Sequence, residues 1–234
     1  MDERKIYTHF LFDLDDTIFD FPAAELHGLE KVYAALDMKL SHEDHQHYSA
    51  FNKELWDDID AGRLTRDEMQ ARRFPEFFQN EYGLQLENNA ELVKIYQQGL
   101  AESHELLPNA AKVIRRLHQQ GHYLAIVSNG LLKVQQAKLA DVGLLDCFND
   151  LFISREIGHM KPNPEFFEYV LAHSKCNTAN TLVIGDSLKT DMLGAKRAGL
   201  DSVWYNRHKR PNQTLVHPTY TISDLLELEE IVNG

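Results

Sequence analysis

From Leu107 onward one pattern repeats: a helix, a short apolar run, a tight turn, then another helix. The apolar runs at 123–127, 151–153, 181–184 and 203–205 are nearly continuous, as expected of strands buried on both faces. The helices between them carry apolar residues at helical spacing, such as Val113, Ile114 and Leu117, or Phe166, Phe167, Val170 and Leu171. Strands joined through helices must run parallel, with the helices covering both faces. The sequence therefore predicts an α/β fold built on a parallel sheet, closed by a helix over 223–232. Residues 207–219 form the longest expected loop.

The first strand of that sheet lies far upstream. An apolar run over 6–12 ends in Asp13-Leu14-Asp15-Asp16-Thr17. Side chains alternate along a strand, so Asp13 and Asp15 are expected on one side, where the strand leaves its sheet. Asp16 faces the other way and is expected to order the turn. Between this strand and Leu107 the pattern is almost wholly helical. Asp20-Phe21-Pro22 reads as a helix start. Ser41 followed by Asp44 reads as a capping signal, and Thr65 opens a further helix that Pro75 interrupts or kinks. Another helix runs from about Asn89 to Leu100. The expected organisation is a core of 1–19 and 106–234, with a helical insertion of 20–105.

Charge follows the same division. The chain has a net charge of −12, with eighteen acids and eight bases between Asp20 and Glu105, a net of −10 for that segment. Such a chain makes a poor partner for a nucleic acid polymer. No apolar run approaches the roughly 20 residues of a membrane-spanning helix. The charged start Met1-Asp2-Glu3-Arg4-Lys5 lacks a signal-peptide core. Cys147 and Cys176 suggest neither a metal motif nor a disulfide framework. The expectation is a cytoplasmic protein with no membrane partner, a monomer or a homodimer.

Binding sites of open parallel sheets lie beyond the carboxyl ends of the strands, where strand order reverses. That rule gathers dispersed residues into one place. The first strand delivers Asp13 and Asp15, the second Ser128 and Asn129, the fourth Asp186, with Asp191 five residues on in a helix start. Lys161 lies in Gly158-His159-Met160-Lys161-Pro162-Asn163, just before a helix at the same edge. Two carboxylates about 4 Å apart repel by roughly 4 kcal/mol at an effective dielectric near 20. Four such aspartates call for a divalent cation, and an all-oxygen set suits Mg²⁺. With Lys161 added, the site suits a phosphate group. His42, His45 and His47 are expected to be solvated, and Arg63, Arg66, Arg72 and Arg73 to lie on the surface. Trp56, Phe74, Phe77 and Phe78 are expected in the core of the insertion.

Taken in order, Asp13-Leu-Asp-Asp-Thr17, Ser128-Asn129, Lys161-Pro162 and Gly185-Asp186 to Asp191 resemble the motif set of the haloacid dehalogenase-like hydrolase superfamily, in its phosphatase branch. The resemblance covers the whole body of the chain. It implies a Rossmann-like core with an inserted α-helical cap of the first type, which closes over the site and selects the leaving group. It further implies that Asp13 is the nucleophile and Asp15 the acid and base. Mg²⁺ would be held by the Asp13 carboxylate, the Asp15 backbone carbonyl and Asp186, with Asp191 in support. Ser128 and Asn129 would bind phosphoryl oxygens, and Lys161 would bridge nucleophile and phosphate.

The stretch Asp13 to Pro22, with Ser128-Asn129-Gly130, resembles the bacterial pyrimidine 5′-nucleotidase branch. This implies a phosphatase of small phosphorylated metabolites, nucleoside 5′-monophosphates above all. The other readings are a sugar-phosphate or phosphoglycolate-type phosphatase, a phosphomutase, a 2-haloacid dehalogenase and a non-catalytic binding protein. A dehalogenase has no use for Asp15 or a metal site, and a dead scaffold would have lost part of the set.

Overall fold

The computed structural model describes residues 5–86 and 89–233, so all of the charged start except Lys5 lies outside the described residues. The chain divides into two compact units, Met1–Asp20 with His104–Gly234, and Phe21–Ser103. In chain order the elements are β1 (His9–Phe12), α1 (Phe21–Ala35), α2 (His42–Asp60), α3 (Arg66–Tyr82), α4 (Asn89–Glu102), α5 (Ala110–Gln119) and β2 (Tyr123–Ser128). They continue with α6 (Leu132–Asp141), β3 (Asp150–Ile153), α7 (Ser154–Ile157), α8 (Pro164–His173), β4 (Thr181–Gly185), α9 (Leu193–Arg197), β5 (Asp201–Tyr205), β6 (Tyr220–Ile222) and α10 (Leu228–Asn233).

The first unit is an α/β fold around a six-stranded sheet of order β3-β2-β1-β4-β5-β6, parallel throughout. Its two faces are both apolar, because alternate residues of each strand are buried on opposite sides. Phe10, Phe12, Leu124, Ile126, Leu182 and Ile184 pack with Val113, Ile114 and Leu117 of α5 and Leu228 of α10. Leu11, Ala125, Val127 and Val183 pack with Phe166, Phe167 and Val170 of α8. β1 is flanked by β2 on one side and β4 on the other, so the chain winds outward in both directions from it. Strand order reverses between β1 and β4, and that is where a site is expected.

The second unit is the helical insertion, α1 to α4. Leu29, Val32 and Tyr33 of α1, Tyr48 of α2, Phe74, Phe77 and Phe78 of α3, and Leu92, Val93 and Tyr96 of α4 form its core. Capping boxes start two of the helices. Ser41 and Asp44 exchange side-chain and backbone hydrogen bonds ahead of α2, and Thr65 and Glu68 do the same ahead of α3.

Several local expectations change. Pro75 does not interrupt α3, which runs through to Tyr82. Proline removes the donor that Ala71 O would receive. The Asn89 side chain replaces it, donating to Ala71 O at 3.1 Å and to Gln70 O at 2.8 Å. Arg73, expected on the surface, is buried, its guanidinium 5.1 Å from the Tyr96 ring and one nitrogen donating to Met69 Sδ at 2.8 Å. His45 is half-buried beside the buried Glu25, 3.7 Å from its carboxylate, while His42 and His47 are exposed as expected. Trp56 is half-buried beneath Arg66. A sixth strand joins the five expected ones. The helix expected after β4 from about Thr190 to Ala198 begins at Leu188, with a single wide turn at Leu188–Met192 ahead of α9.

Candidate functional site

The site forms where β1 and β4 end side by side. Asp13 follows β1 directly, and its N–H donates to Ile184 O at 2.8 Å, extending the ladder one residue. Its carboxylate is nearly buried. Lys161, 2% exposed, points its ammonium at that carboxylate and donates three hydrogen bonds. They go to Asp13 Oδ1 at 2.6 Å, Asp191 Oδ1 at 2.6 Å and Val127 O at 2.7 Å. The three donors of an ammonium are thereby matched. Thr17 Oγ1 donates weakly, at 3.4 Å, to Asp13 Oδ2.

The support behind these groups is extensive. Asn129 clamps the backbone of Lys161, its Nδ2 donating to Lys161 O at 2.9 Å and its Oδ1 accepting from Lys161 N at 3.0 Å. The carboxamide expected to meet a phosphate is thus committed to holding Lys161. Asp191 accepts Ser187 N–H on Oδ2 at 3.1 Å, so both of its oxygens are engaged. Its carboxylate lies over Gly185, where a Cβ would come within 2.3 Å of Oδ2. Trp204 Nε1 donates to Asp186 O at 2.8 Å and fixes the backbone of that residue. Ser128 Oγ accepts from Gly130 N at 3.0 Å and from Gln135 Nε2 at 3.1 Å.

Asp13, Asp186 and Asp191 bring carboxylate oxygens within 4.8 Å of one another. Asp15, expected among four converging aspartates, is outside this group: its carboxylate turns to α6, where Lys138 and Gln135 receive it. The strand alternation that placed it beside Asp13 stops with β1 at Phe12. Beyond that, Leu14 O takes the N–H groups of Ile18 and Phe19 and the chain turns. Asp16 sits in that turn at φ 59°, its carboxylate 3.5 Å from Arg207. Sequence reasoning missed Lys138, Gln135 and Trp204. The signal for the first two was their spacing, three apart on one helix directly after Ser128-Asn129-Gly130.

Electrostatics follow the geometry. Burial pushes the Asp13 carboxyl up to about 7, against the pull of Lys161 and with the push of Asp191. Asp186 is raised well above the carboxylate range by burial, then by Asp191 and Asp13. Burial would lower Lys161, yet Asp13 and Asp191 outweigh it and hold the ammonium charged. Burial raises Asp15 too, but Lys138 and then Gln135 reverse the shift and keep it ionised. One lysine leaves the three grouped carboxylates short of positive charge. An all-oxygen donor set with unbalanced negative charge fits a hard divalent cation such as Mg²⁺.

An open parallel sheet with a helical unit inserted after β1, and with carboxylates and a buried lysine gathered at its switch point, defines a Rossmann-like core with a candidate hydrolase site. The family model for haloacid dehalogenase-like hydrolases matches residues 7–199. The chain belongs to that superfamily. It is 39% identical over 230 residues to the HAD-hydrolase YfnB of Bacillus subtilis, covering 98% of this chain and 97% of that one. It is 34% identical over 228 residues to the pyrimidine 5′-nucleotidase PynA of Streptococcus pneumoniae, covering 94% of each chain. To the pyrimidine 5′-nucleotidase YjjG of Escherichia coli it is 33% identical over 222 residues, covering 94% of this chain and 96% of that one. A crystal structure of YfnB bound to magnesium superposes with a TM-score of 0.92 at 38% identity, covering 98% of this chain and all of that one. Among the described residues no helix is long and apolar enough to cross a membrane.

Proposed function

We propose that this chain hydrolyses phosphate monoesters through an aspartyl-phosphate on Asp13, with pyrimidine nucleoside 5′-monophosphates as its substrates. The observation that carries the chemistry is the buried ammonium of Lys161, 2.6 Å from Asp13 Oδ1 and held from behind by Asp191. A carboxylate fixed by one oxygen at a strand end is oriented to attack. The substrate class rests on PynA and YjjG, both called pyrimidine 5′-nucleotidases and matched over nearly the whole chain.

Asp15, ionised in the free protein, first takes up a proton from water. An oxygen of Asp13 then bonds to phosphorus while the ester P–O bond breaks, and the departing oxygen takes that proton from Asp15 and leaves as an alcohol. A water then bonds to phosphorus and gives a proton to the Asp15 carboxylate. The bond from Asp13 to phosphorus breaks, restoring the carboxylate and releasing inorganic phosphate. The Ser128 hydroxyl binds a phosphoryl oxygen. Lys161, whose three donors are taken by Asp13, Asp191 and Val127, bridges towards the phosphate from its bond to Asp13 and supplies positive charge to the phosphoryl group. Asn129 acts by fixing the backbone of Lys161. Asp13, Asp186 and the Asp15 backbone carbonyl would hold Mg²⁺, which when bound neutralises the phosphoryl oxygens and the carboxylates around them. Asp191 supports Lys161.

The test is a panel of UMP, dTMP, CMP, AMP, GMP, ribose 5-phosphate and phosphoglycolate with purified protein and Mg²⁺. The expected result is a kcat/KM for the pyrimidine nucleotides at least about tenfold above the others, a difference of roughly 1.4 kcal/mol. Equal or better hydrolysis of the sugar phosphates would overturn the substrate class while leaving the chemistry standing. Full activity in Asp13→Asn would overturn the chemistry.

A further inference from the structure

Two side chains of α6 are buried against the carboxylate of Asp15, and the chemistry above gives them no part. Lys138 Nζ donates to Asp15 Oδ1 at 2.7 Å, and Gln135 Nε2 donates to Asp15 Oδ2 at 2.7 Å. Each of the two residues is 1% exposed. The same Gln135 nitrogen also donates to Ser128 Oγ. Room for it exists because residue 130 is glycine, since a Cβ there would come within 2.1 Å of Gln135 Nε2.

Helix packing does not account for this pair. Lysine and glutamine are seldom fully buried, and an aliphatic residue at either position of α6 would pack without desolvating a polar group. Gln135 Oε1 is buried with no hydrogen-bond partner. Half of that carboxamide is therefore unused, and only the contacts of Nε2 give a reason for burying it. Lys138 has its ammonium 5.3 Å from the Phe19 ring, with Asp15 as its anionic partner. Two donors reaching two oxygens of one carboxylate leave it a single orientation. One of them also touches the hydroxyl assigned to the phosphate.

We propose that Lys138 and Gln135 are positioning residues that hold Asp15 for proton transfer to the leaving group, with Gln135 tying that orientation to Ser128. The inference rests on the reading of Asp15 as acid and base, and the experiment separates the two. Lys138 orients the carboxylate and balances its charge after Asp15 has protonated the departing oxygen. A positioning residue for the acid matters most when the leaving group is poor. An alkoxide must be protonated as it leaves, whereas p-nitrophenolate leaves readily without a proton.

The experiment measures kcat/KM, which reports the first chemical step, for UMP and for p-nitrophenyl phosphate in Lys138→Met, Lys138→Arg, Gln135→Leu and Asp15→Asn, each checked for folding by its thermal transition. For Asp15→Asn the expected loss is on the order of 10²-fold or more with UMP and far smaller with p-nitrophenyl phosphate. Lys138→Met and Gln135→Leu are expected to show the same selective loss at smaller size, at least about fivefold greater with UMP, with Lys138→Arg partly restoring it. Adding Lys138→Met to Asp15→Asn should cost nothing further, because Lys138 acts through Asp15. If Asp15→Asn loses both substrates equally, the acid role itself fails. If Asp15→Asn is selective while Lys138→Met and Gln135→Leu lower both substrates equally, the positioning role is overturned. Gln135→Leu removes no charge and decides the matter should Lys138→Met fail to fold.

Discussion

Lys161 Nζ donates to Asp13 Oδ1 across 2.6 Å, a buried contact between residues 148 positions apart in the chain. Removing a buried partner leaves the other charge uncompensated, typically at a cost of about 3–5 kcal/mol. Lys161→Met is therefore expected to lower stability by roughly that amount and turnover by on the order of 10²–10³-fold. Lys161→Arg should not rescue it. The three acceptors converge on one nitrogen at 2.6–2.7 Å, a geometry a flat guanidinium cannot reproduce. Urea unfolding and steady-state kinetics of both variants check this.

The pH dependence of the metal-free protein has a definite sign. Burial first, and Asp191 next, raise Asp13 to about 7, from about 3.9 in the unfolded chain. Folding thus favours the protonated carboxyl. Its contribution to stability is complete below about pH 3.9 and is lost as pH rises through about 7, at up to roughly 1.4 kcal/mol per unit. Asp186 is shifted the same way. In a chelator, the midpoint of thermal unfolding should fall between pH 6 and pH 8, and Asp13→Asn should flatten the slope. Mg²⁺ competes with the same protons, so its binding should tighten over this window and its stabilising effect should grow with pH. A chelated protein whose stability rises from pH 6 to pH 8 would contradict this.

Within the helical unit, Asn89 and Pro75 form a dependent pair. Asn89→Ala deprives the Ala71 carbonyl of the donor that replaces the missing Pro75 N–H, and the Gln70 carbonyl of a side-chain donor, an expected cost of about 1–2 kcal/mol. Where Pro75→Ala has already restored a backbone N–H, the same change should cost clearly less. A double-mutant cycle in urea measures the coupling, and additive effects would refute the pairing.

What the sequence discloses depends on how a residue's place is determined. Asp13, Ser128 and Asp186 sit at ends of apolar strands, and a parallel sheet sends all strand ends to one edge, so their meeting follows from period and order. Lys161 was legible for the same reason. Lys138 and Gln135 were not, because α6 is recognisable by its apolar face and a polar residue on a helix reads as solvated unless its partner is known. Asp15 was placed by strand alternation, yet the strand ends at Phe12 and a turn decides its direction. Arg73 read as surface because nothing in its sequence neighbours announces the Tyr96 ring that faces it. β6 has three residues, too few for a periodic signal.

Gly185 carries the final prediction. A Cβ at this position would lie 2.3 Å from Asp191 Oδ2 and 2.4 Å from its Cγ, well inside contact distance. Asp191 is 1% exposed and bonded on both oxygens, so it can yield only by giving up Ser187 N–H or Lys161. Gly185→Ala is expected to cost about 1–3 kcal/mol of stability through overpacking. It should also loosen Lys161, so that kcat falls more than KM rises. Replacing the obstructing carboxylate in the same chain separates the two effects. The Asp191 Cβ would itself lie 2.6 Å away, so only Asp191→Gly removes every clashing atom. Gly185→Ala with Asp191→Gly should recover part of the stability, yet activity should stay low because Lys161 has lost its anchor. Thermal unfolding and kinetics of the single and double variants decide it, and wild-type activity in Gly185→Ala would show that Asp191 is free to move.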